Sequence, residues 1–467
     1  MKISGKGTVT ELTENTVHII GAGLAGCEAA WQAALLGVRV VLHEMKPKKK
    51  TPAHHADTFA ELVCSNSLRS AEVTNASGLL KEEMRRMGSL IMEACDSSRV
   101  AAGGALAVDR VKFSEYITEK IKSHPLITVA EEEVLSIPDG VTAVIATGPL
   151  TSEPLAEDIA RSLGGGLYFF DAAAPIVSFD SVDMTKAFFA SRYGKGSADY
   201  INCPMTAEEY KAFYSALISA EEAPLHDADK ELKVKVFEGC MPVEVMARRG
   251  EDTLRFGPMK PVGITNPETG ESYYAVVQLR RENEEGTMYN LVGFQTHLKF
   301  PEQKRVFGMI PGLEKAEFLR YGVMHRNTFL NSPEHLDADY SMRARKNIFF
   351  AGQMTGVEGY IESAASGFAA GLNAALRASG TESFIFPRTM MIGAMAHYVA
   401  HGGENDFQPM NANFGIIAPL TQKVKGGKRA RYAAYAERAL LECDGICEKI
   451  KNLREGIKIG DTYEHNN

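Results

Sequence analysis

The chain has 467 residues, 45% of them apolar and 24% charged, with a formal net charge of −8 and a pI near 5.9; that length calls for two domains or more, and the acidic balance gives no global signature of a nucleic-acid binder. No run approaches the roughly 20 apolar residues of a membrane helix, and the leader MKISGKGTVTELTENT lacks the apolar core of a signal peptide. Seven scattered cysteines (27, 64, 95, 203, 240, 443 and 447) without paired ligand spacing point to a reduced, cytoplasmic protein with no zinc site and no membrane association.

In chain order, residues 16–44 read as strand, turn, helix and strand. TVHII is apolar and β-branched, GAGLAG breaks it, CEAAWQAALLG is helical, and VRVVLHE forms the second strand. Gly37 ends the helix where a left-handed residue is wanted. A mixed region leads to TAVIATG (142–148), an apolar strand running into a turn. AEEYKAFYSALISA reads as a helix, and YYAVVQLR and MYNLVGFQTHL alternate as strands do. NIFFAG (347–352) is again a strand entering glycine-rich sequence, followed by a helix of small residues from about Ile361 to Ala378. Lys428 to about Lys451 has the spacing of an amphipathic helix.

Roughly 200 residues part ATG from NIFFAG, too many for a loop, so a second domain interrupts the first. The expected division is a discontinuous dinucleotide-binding domain (14–180 and 325–425), an inserted α+β domain (181–324), and a C-terminal helix and tail (426–467). Lys46–Lys50, Arg248–Arg249, Arg280–Arg281 and Lys423–Arg431 are basic clusters. Taken alone, they read as solvated charge.

Gly21, Gly23 and Gly26, with Ala22, Leu24 and Ala25 between them, form G-x-G-x-x-G between a strand and a helix. Glu44 ends the next strand. The first glycine permits the tight turn, the second lets backbone approach a pyrophosphate, and the third allows close helix–strand packing. A carboxylate at Glu44 can accept hydrogen bonds from ribose hydroxyls. Two further segments indicate FAD. Ala146-Thr147-Gly148 resembles the second conserved turn of two-dinucleotide-fold flavoproteins. The stretch from Asn347, with Gly352, Gln353, Tyr360 and Ile361, resembles their C-terminal FAD segment. The fold expected is therefore α/β, an FAD-binding Rossmann-like domain. In it a helix N-terminus near Gly359–Glu362 would face the flavin pyrimidine and stabilise its anionic reduced form.

GAGLAGCEAAW, TPAHHADTFAELVCSNSLRS, AAGGALAVDR, FEGCMPVEVMARRG, FGPMKPVG and MTGVEGYIESAASG together closely resemble the folate-dependent tRNA uracil-5-methyltransferases of the MnmG/TrmFO flavoprotein family. The resemblance runs from about Thr16 to at least Phe414. It departs in a polar leader and in a tail without a close match. The resemblance implies a T-loop uridine of tRNA as substrate, methylenetetrahydrofolate as one-carbon donor, and NADPH or NADH as reductant.

Carbon 5 of uracil is a poor nucleophile until something adds at carbon 6, and a cysteine thiolate can do so. On the family motifs, Cys240 in FEGCMP is the expected nucleophile and Cys64 in ELVCSNS a second catalytic thiol, for proton handling or flavin contact. Cys27, Cys95 and Cys203 read as small buried hydrophobes. The methylene can pass through flavin N5 or directly to the base. His297 and Tyr360 are candidates to line a folate pocket, with Arg326 and Asn327 as further substrate or cofactor contacts. Arg248 and Arg249 could track RNA phosphates. The same chemistry on a ribosomal RNA uridine stays open. A small-molecule flavin oxidoreductase, or an RNA-binding protein with a structural flavin, would need no nucleophile for carbon 6.

Overall fold

The computed structural model describes residues 15–51, 54–63, 66–100, 105–163, 167–170, 174–194, 198, 200–223, 242–281, 286–322, 327–403 and 407–464. Two compact units divide the chain: Met1–Gly166, His335–Ala400 and Val424–Asn467 form one, Leu167–Glu334 and His401–Lys423 the other. The first unit opens with β1 (Thr16–Ile20), α1 (Leu24–Leu35), β2 (Arg39–Glu44), β3 (Ser67–Ser70), α2 (Ala76–Arg86) and α3 (Leu90–Ser97). It continues with β4 (Arg99–Val100), β5 (Ala105–Val108), α4 (Arg110–Ser123), β6 (Ile127–Glu131), β7 (Thr142–Ile145) and α5 (Glu153–Ser162). The second unit holds β8 (Leu167–Phe170), β9 (Ile176–Ser178), β10 (Phe188–Ala190), β11 (Tyr200–Met205), α6 (Ala207–Ile218) and α7 (Val243–Ala247). Then come β12 (Ala275–Arg281), β13 (Met288–Leu291), α8 (Phe300–Phe307), β14 (Phe318–Arg320) and β15 (Asn327–Leu330). The chain returns to the first unit with β16 (Ser341–Met342), β17 (Arg345–Phe350), α9 (Tyr360–Ala378), α10 (Met391–His401) and α11 (Gly427–Glu464).

The first unit is built on a six-stranded sheet of order β16-β17-β7-β1-β2-β6. Its pairs are parallel except β16–β17. Strands buried on both faces read as continuous apolar runs, and Ala143–Ile145 and Ile348–Phe350 are fully buried. Ile20 lies opposite both His43 and Ile145, and Ile145 opposite Phe350. The carboxyl ends of β1, β2, β7 and β17 therefore share one edge. Chain order reverses direction at β1 and β7, the place where such sheets bind ligands.

α9 packs on β1, β7 and β17, and its small residues also bring it hard against α1. A Cβ added at Gly367 would lie 2.2 Å from the Ala25 carbonyl oxygen, and one at Gly371 2.4 Å from the Ala29 Cα. These two glycines, one turn apart, leave the backbones of the two helices in direct contact. The terminal helix α11 spans more than the stretch expected. It buries Tyr435, Ala436, Ala439, Cys443, Ile446 and Ile450 along one stripe. Arg86 at the end of α2 fastens it through Asp444 at 2.8 Å.

The second unit is an antiparallel sheet of order β10-β11-β12-β13-β9-β14, with β8 and β15 paired separately. Ile201, Cys203 and Met205 of β11 pack with Phe213 and Leu217 of α6 and with Val306 and Phe307 of α8. A capping box between Thr206 and Glu209 starts α6.

The division into units differs from the boundaries expected. Residues 167–180 join the second unit because β9 pairs with β13 and β14, and β8 with β15. Residues 401–423 join it too: Thr287 donates to the Gly415 carbonyl and Arg320 to that of Pro409. The C-terminal stretch forms no separate body; α11 belongs to the first unit. Among the described residues, no helix is long and apolar enough to cross a membrane.

Candidate functional site

Three glycine turns meet at the shared edge of the first sheet, and a cavity opens over them. Gly21 has φ +99°, and a Cβ there would sit 2.7 Å from the Ala146 carbonyl oxygen. Only glycine can both turn and lie against the second turn. A Cβ on Gly26 would fall 1.8 Å from the Gly21 oxygen, so the third glycine lets α1 start hard against the turn it follows. A Cβ on Gly23 would meet nothing within 4 Å. That open space lies at the N-terminus of α1, where unpaired N–H groups favour an anion. Gly21 to Ala25, Glu44, Ala146 to Gly148, Gly352, Gln353 and Tyr360 all line the cavity. Of the residues expected to hold the cofactor, Gly26 lies beneath the turn and Ile361 is buried in the first turn of α9.

Glu44 ties the turn together. Its carboxylate accepts the Ala22 N–H at 2.7 Å and the Lys46 N–H at 2.9 Å, leaving acceptor capacity for hydroxyl donors in the cavity. Replacing Glu44 by Ala removes both anchors and the expected charge-assisted bond to a ribose hydroxyl, which would be worth about 1.5–3 kcal/mol. The variant is expected to bind FAD about 10- to 100-fold more weakly, read by fluorescence titration of the apoprotein. Unchanged affinity would mean the ribose lies elsewhere.

The open step at Gly23, the forbidden Cβ positions at Gly21 and Gly26 and the carboxylate at Glu44 fit a dinucleotide. The sequence reading missed part of the wall. Lys46, Thr51, His54 and Glu61 line the cavity, as do Glu132 and Glu133 after β6. The first four fall in or beside the motif TPAHHADTFAELVC, so that motif was the available signal. A chain of side chains also runs from the wall into the sheet. The His43 Nδ1 lies 3.0 Å from the Glu132 carboxylate, and its Nε2 lies 3.0 Å from the His18 Nδ1. Burial, the leading cause for each ring, holds both imidazoles below their ordinary pKa. Each neutral ring then offers one donor and one acceptor.

The N-terminus of α9 carries its own counter-charge. Gly359 caps it at φ +117°, and Glu362 in the first turn is buried, with Arg69 at 3.6 Å. That carboxylate offsets part of the positive helix end expected to face a flavin pyrimidine.

Cys64, Cys240 and Arg326 lie outside the described residues, as does the side chain of Asn327. His297 is 9% exposed in the second unit. Its backbone N–H donates to Glu244 at 2.7 Å, and its Nδ1 lies 3.9 Å from the Glu222 carboxylate. Arg248 pairs with the same Glu222, so the structure brings His297 and Arg248 together, while Arg249 is exposed. Cys27, Cys95 and Cys203 are fully buried, and burial pushes their thiols up, that of Cys203 to about 12. Such thiols are poor nucleophiles. Among the described residues, no group of three or more His, Cys, Asp or Glu is placed to hold a metal.

Comparison with known proteins agrees with this geometry. The family model described as glucose inhibited division protein A matches residues 16–382. A protein of Acetivibrio thermocellus named "Methylenetetrahydrofolate--tRNA-(uracil-5-)-methyltransferase TrmFO" is 60% identical over 425 residues, 91% of this chain and 97% of its own. A protein of the same name from Listeria welshimeri is 58% identical over 438 residues, covering 94% of this chain and all of its own. Among solved structures, GidA of Aquifex aeolicus superposes with a TM-score of 0.48 at 17% identity, over 94% of this chain and 75% of that one. That likeness is too distant to carry an argument. Matched by the family model over most of its length and by such relatives nearly end to end, the chain belongs to the glucose inhibited division protein A family, in its branch of TrmFO methyltransferases.

Proposed function

We propose that this chain methylates carbon 5 of uridine 54 in the tRNA T-loop, giving ribothymidine. Methylenetetrahydrofolate would be the one-carbon donor, with FAD bound at the glycine turns, NADPH or NADH as reductant, and the cytoplasm as the setting. The observation that carries this reading is near full-length identity to relatives bearing the methyltransferase name. The cradle at Gly21, Gly23 and Glu44 supports the FAD part of it.

The α1 N-terminus at Gly23 would hold the pyrophosphate and Glu44 the ribose. FAD bound there, once reduced by NADPH or NADH, would supply the hydride that turns an exocyclic methylene into methyl. The remaining steps fall to side chains of the chain. The Cys240 thiolate adds to carbon 6 of uracil, and the electron pair displaced onto carbon 5 attacks the donor's methylene. Cys64 would accept the carbon 5 proton as tetrahydrofolate leaves. Hydride arriving at the exocyclic methylene then expels the Cys240 thiolate from carbon 6, restoring the ring. His297 would line the folate side, and Arg248 and Arg249 would contact phosphates. Because Arg248 is already paired with Glu222, it would have to exchange that partner for a phosphate.

The deciding assay offers unmodified tRNA and ribosomal RNA transcripts with methylenetetrahydrofolate and NADPH, or with S-adenosylmethionine. Methyl incorporation is expected into tRNA with the folate donor alone. Incorporation from S-adenosylmethionine would end the folate reading, and incorporation into ribosomal RNA alone would move the substrate.

A further inference from the structure

The first turns of α11 carry charge of the wrong sign for their own helix. No acidic residue stands in its first turn, and Lys425, Lys428, Arg429 and Arg431 crowd its N-terminal end. Phe407 to Ala436 contain no Asp or Glu at all, in a chain whose net charge is −8. Cations there repel one another and the unpaired N–H groups of the helix start, so helix formation does not account for them. Nor does burial account for Lys425, Lys428 and Arg429. The buried stripe of α11 begins only at Tyr435, and Lys425, Lys428 and Arg429 are exposed. The ring of Tyr432 has the Lys428 ammonium at 5.4 Å and the Arg431 guanidinium at 5.5 Å from its centre. Lys428, Arg431 and Tyr432 stand three and four residues apart, on one face. The apolar residues among them are alanines 430, 433 and 434, too small for the apolar face that inserts into lipid.

We propose that this end of α11 is a docking surface for the phosphate backbone of RNA, outside the cavity that holds the cofactor. The proposal rests on the reading of tRNA as substrate and gives that RNA a contact on the first unit. Binding would relieve the repulsion among the cations and release counterions from the RNA, making affinity depend on salt.

The test uses the full-length FAD-loaded enzyme and the variant K425E/K428E/R429E, with K425A/K428A/R429A as a milder companion. Dissociation constants for an unmodified tRNA transcript are measured across salt concentrations, beside kcat, KM and FAD content. The charge-reversed variant is expected to show a Kd and KM for tRNA raised about tenfold or more at low salt. Its log–log salt slope should be shallower by about 0.9 per lost phosphate contact, with kcat and FAD content unchanged and the alanine variant intermediate. Wild-type affinity and slope in the charge-reversed variant would overturn the proposal. So would a loss of FAD or of kcat in both variants, since that marks a structural role. Weaker binding to phosphatidylglycerol vesicles with tRNA affinity intact would reassign the surface to lipid. If the wild type binds tRNA through these residues but never methylates it, the docking surface stands and the proposed reaction falls.

Discussion

Replacing Cys240 by Ala is expected to lower methyl transfer to tRNA about a thousandfold or more, while FAD stays bound and NADPH still reduces it. The two outcomes separate because they use different parts of the chain. FAD retention is expected to depend on the glycine cradle at Gly21, Gly23 and Glu44, all in the first unit. Activating carbon 5 depends on a covalent bond to carbon 6 that only a nucleophile can make. The buried cysteines Cys27, Cys95, Cys203 and Cys443 cannot substitute, since burial raises their thiol pKa values and removes them from solvent. RNA carrying 5-fluorouridine at the target should trap the wild-type enzyme as a covalent adduct, because fluorine cannot leave carbon 5 as a cation. The adduct, seen as a shifted band on denaturing gels, should be missing from Cys240→Ala. Cys64→Ala should turn over poorly yet still form some adduct. Were the adduct to survive in Cys240→Ala and vanish in Cys64→Ala, the two thiols would exchange roles.

Gly367→Ala should destabilise the first unit and release its cofactor together. A single methyl at this position would sit 2.2 Å from the Ala25 carbonyl oxygen and 2.7 Å from the Ala25 Cα. Main chain, not a flexible side chain, is in the way, so α1 and α9 must move apart. Overpacking of this kind costs about 1–3 kcal/mol, a loss of several degrees in melting temperature for a body of this size. Separation also carries the α1 N-terminus, with Gly23 and Ala25 on the cavity wall, away from its ligand. FAD content after purification should therefore fall along with stability. Gly445→Ala is the control. Gly445 is exposed in α11, and a Cβ there meets nothing within 4 Å. That change should be neutral or stabilising by about 0.5–1 kcal/mol. Equal melting temperatures for Gly367→Ala and the wild type would show that the two helices are not in close contact.

What the sequence alone determined is local in origin. Thr16–Ile20, the turn at Gly21 and the strand ending at Glu44 were legible because apolar periodicity and a glycine at positive φ are written into neighbouring residues. The strand into Ala146–Gly148 and the one into Gly352 were legible for the same reason, so the three turns that line the cavity could be read from the sequence. Their convergence on one edge was inferred from resemblance; in the structure it follows from the register of β1, β2, β7 and β17. Distant pairing stayed hidden. Nothing in Ile176–Ser178 announces that it pairs with β13 and β14 and so draws residues 167–180 into the second unit. The His18–His43–Glu132 chain joins residues 25 and 89 positions apart. The contact of Gly367 and Gly371 with α1 stayed hidden for a related cause. A run of small residues says that something approaches closely, but only the packed tertiary structure decides that the backbone of α1 does so as well as the sheet. Local pattern encodes conformation and burial; which surfaces meet is set by long-range packing, to which every element contributes and which no single segment spells out.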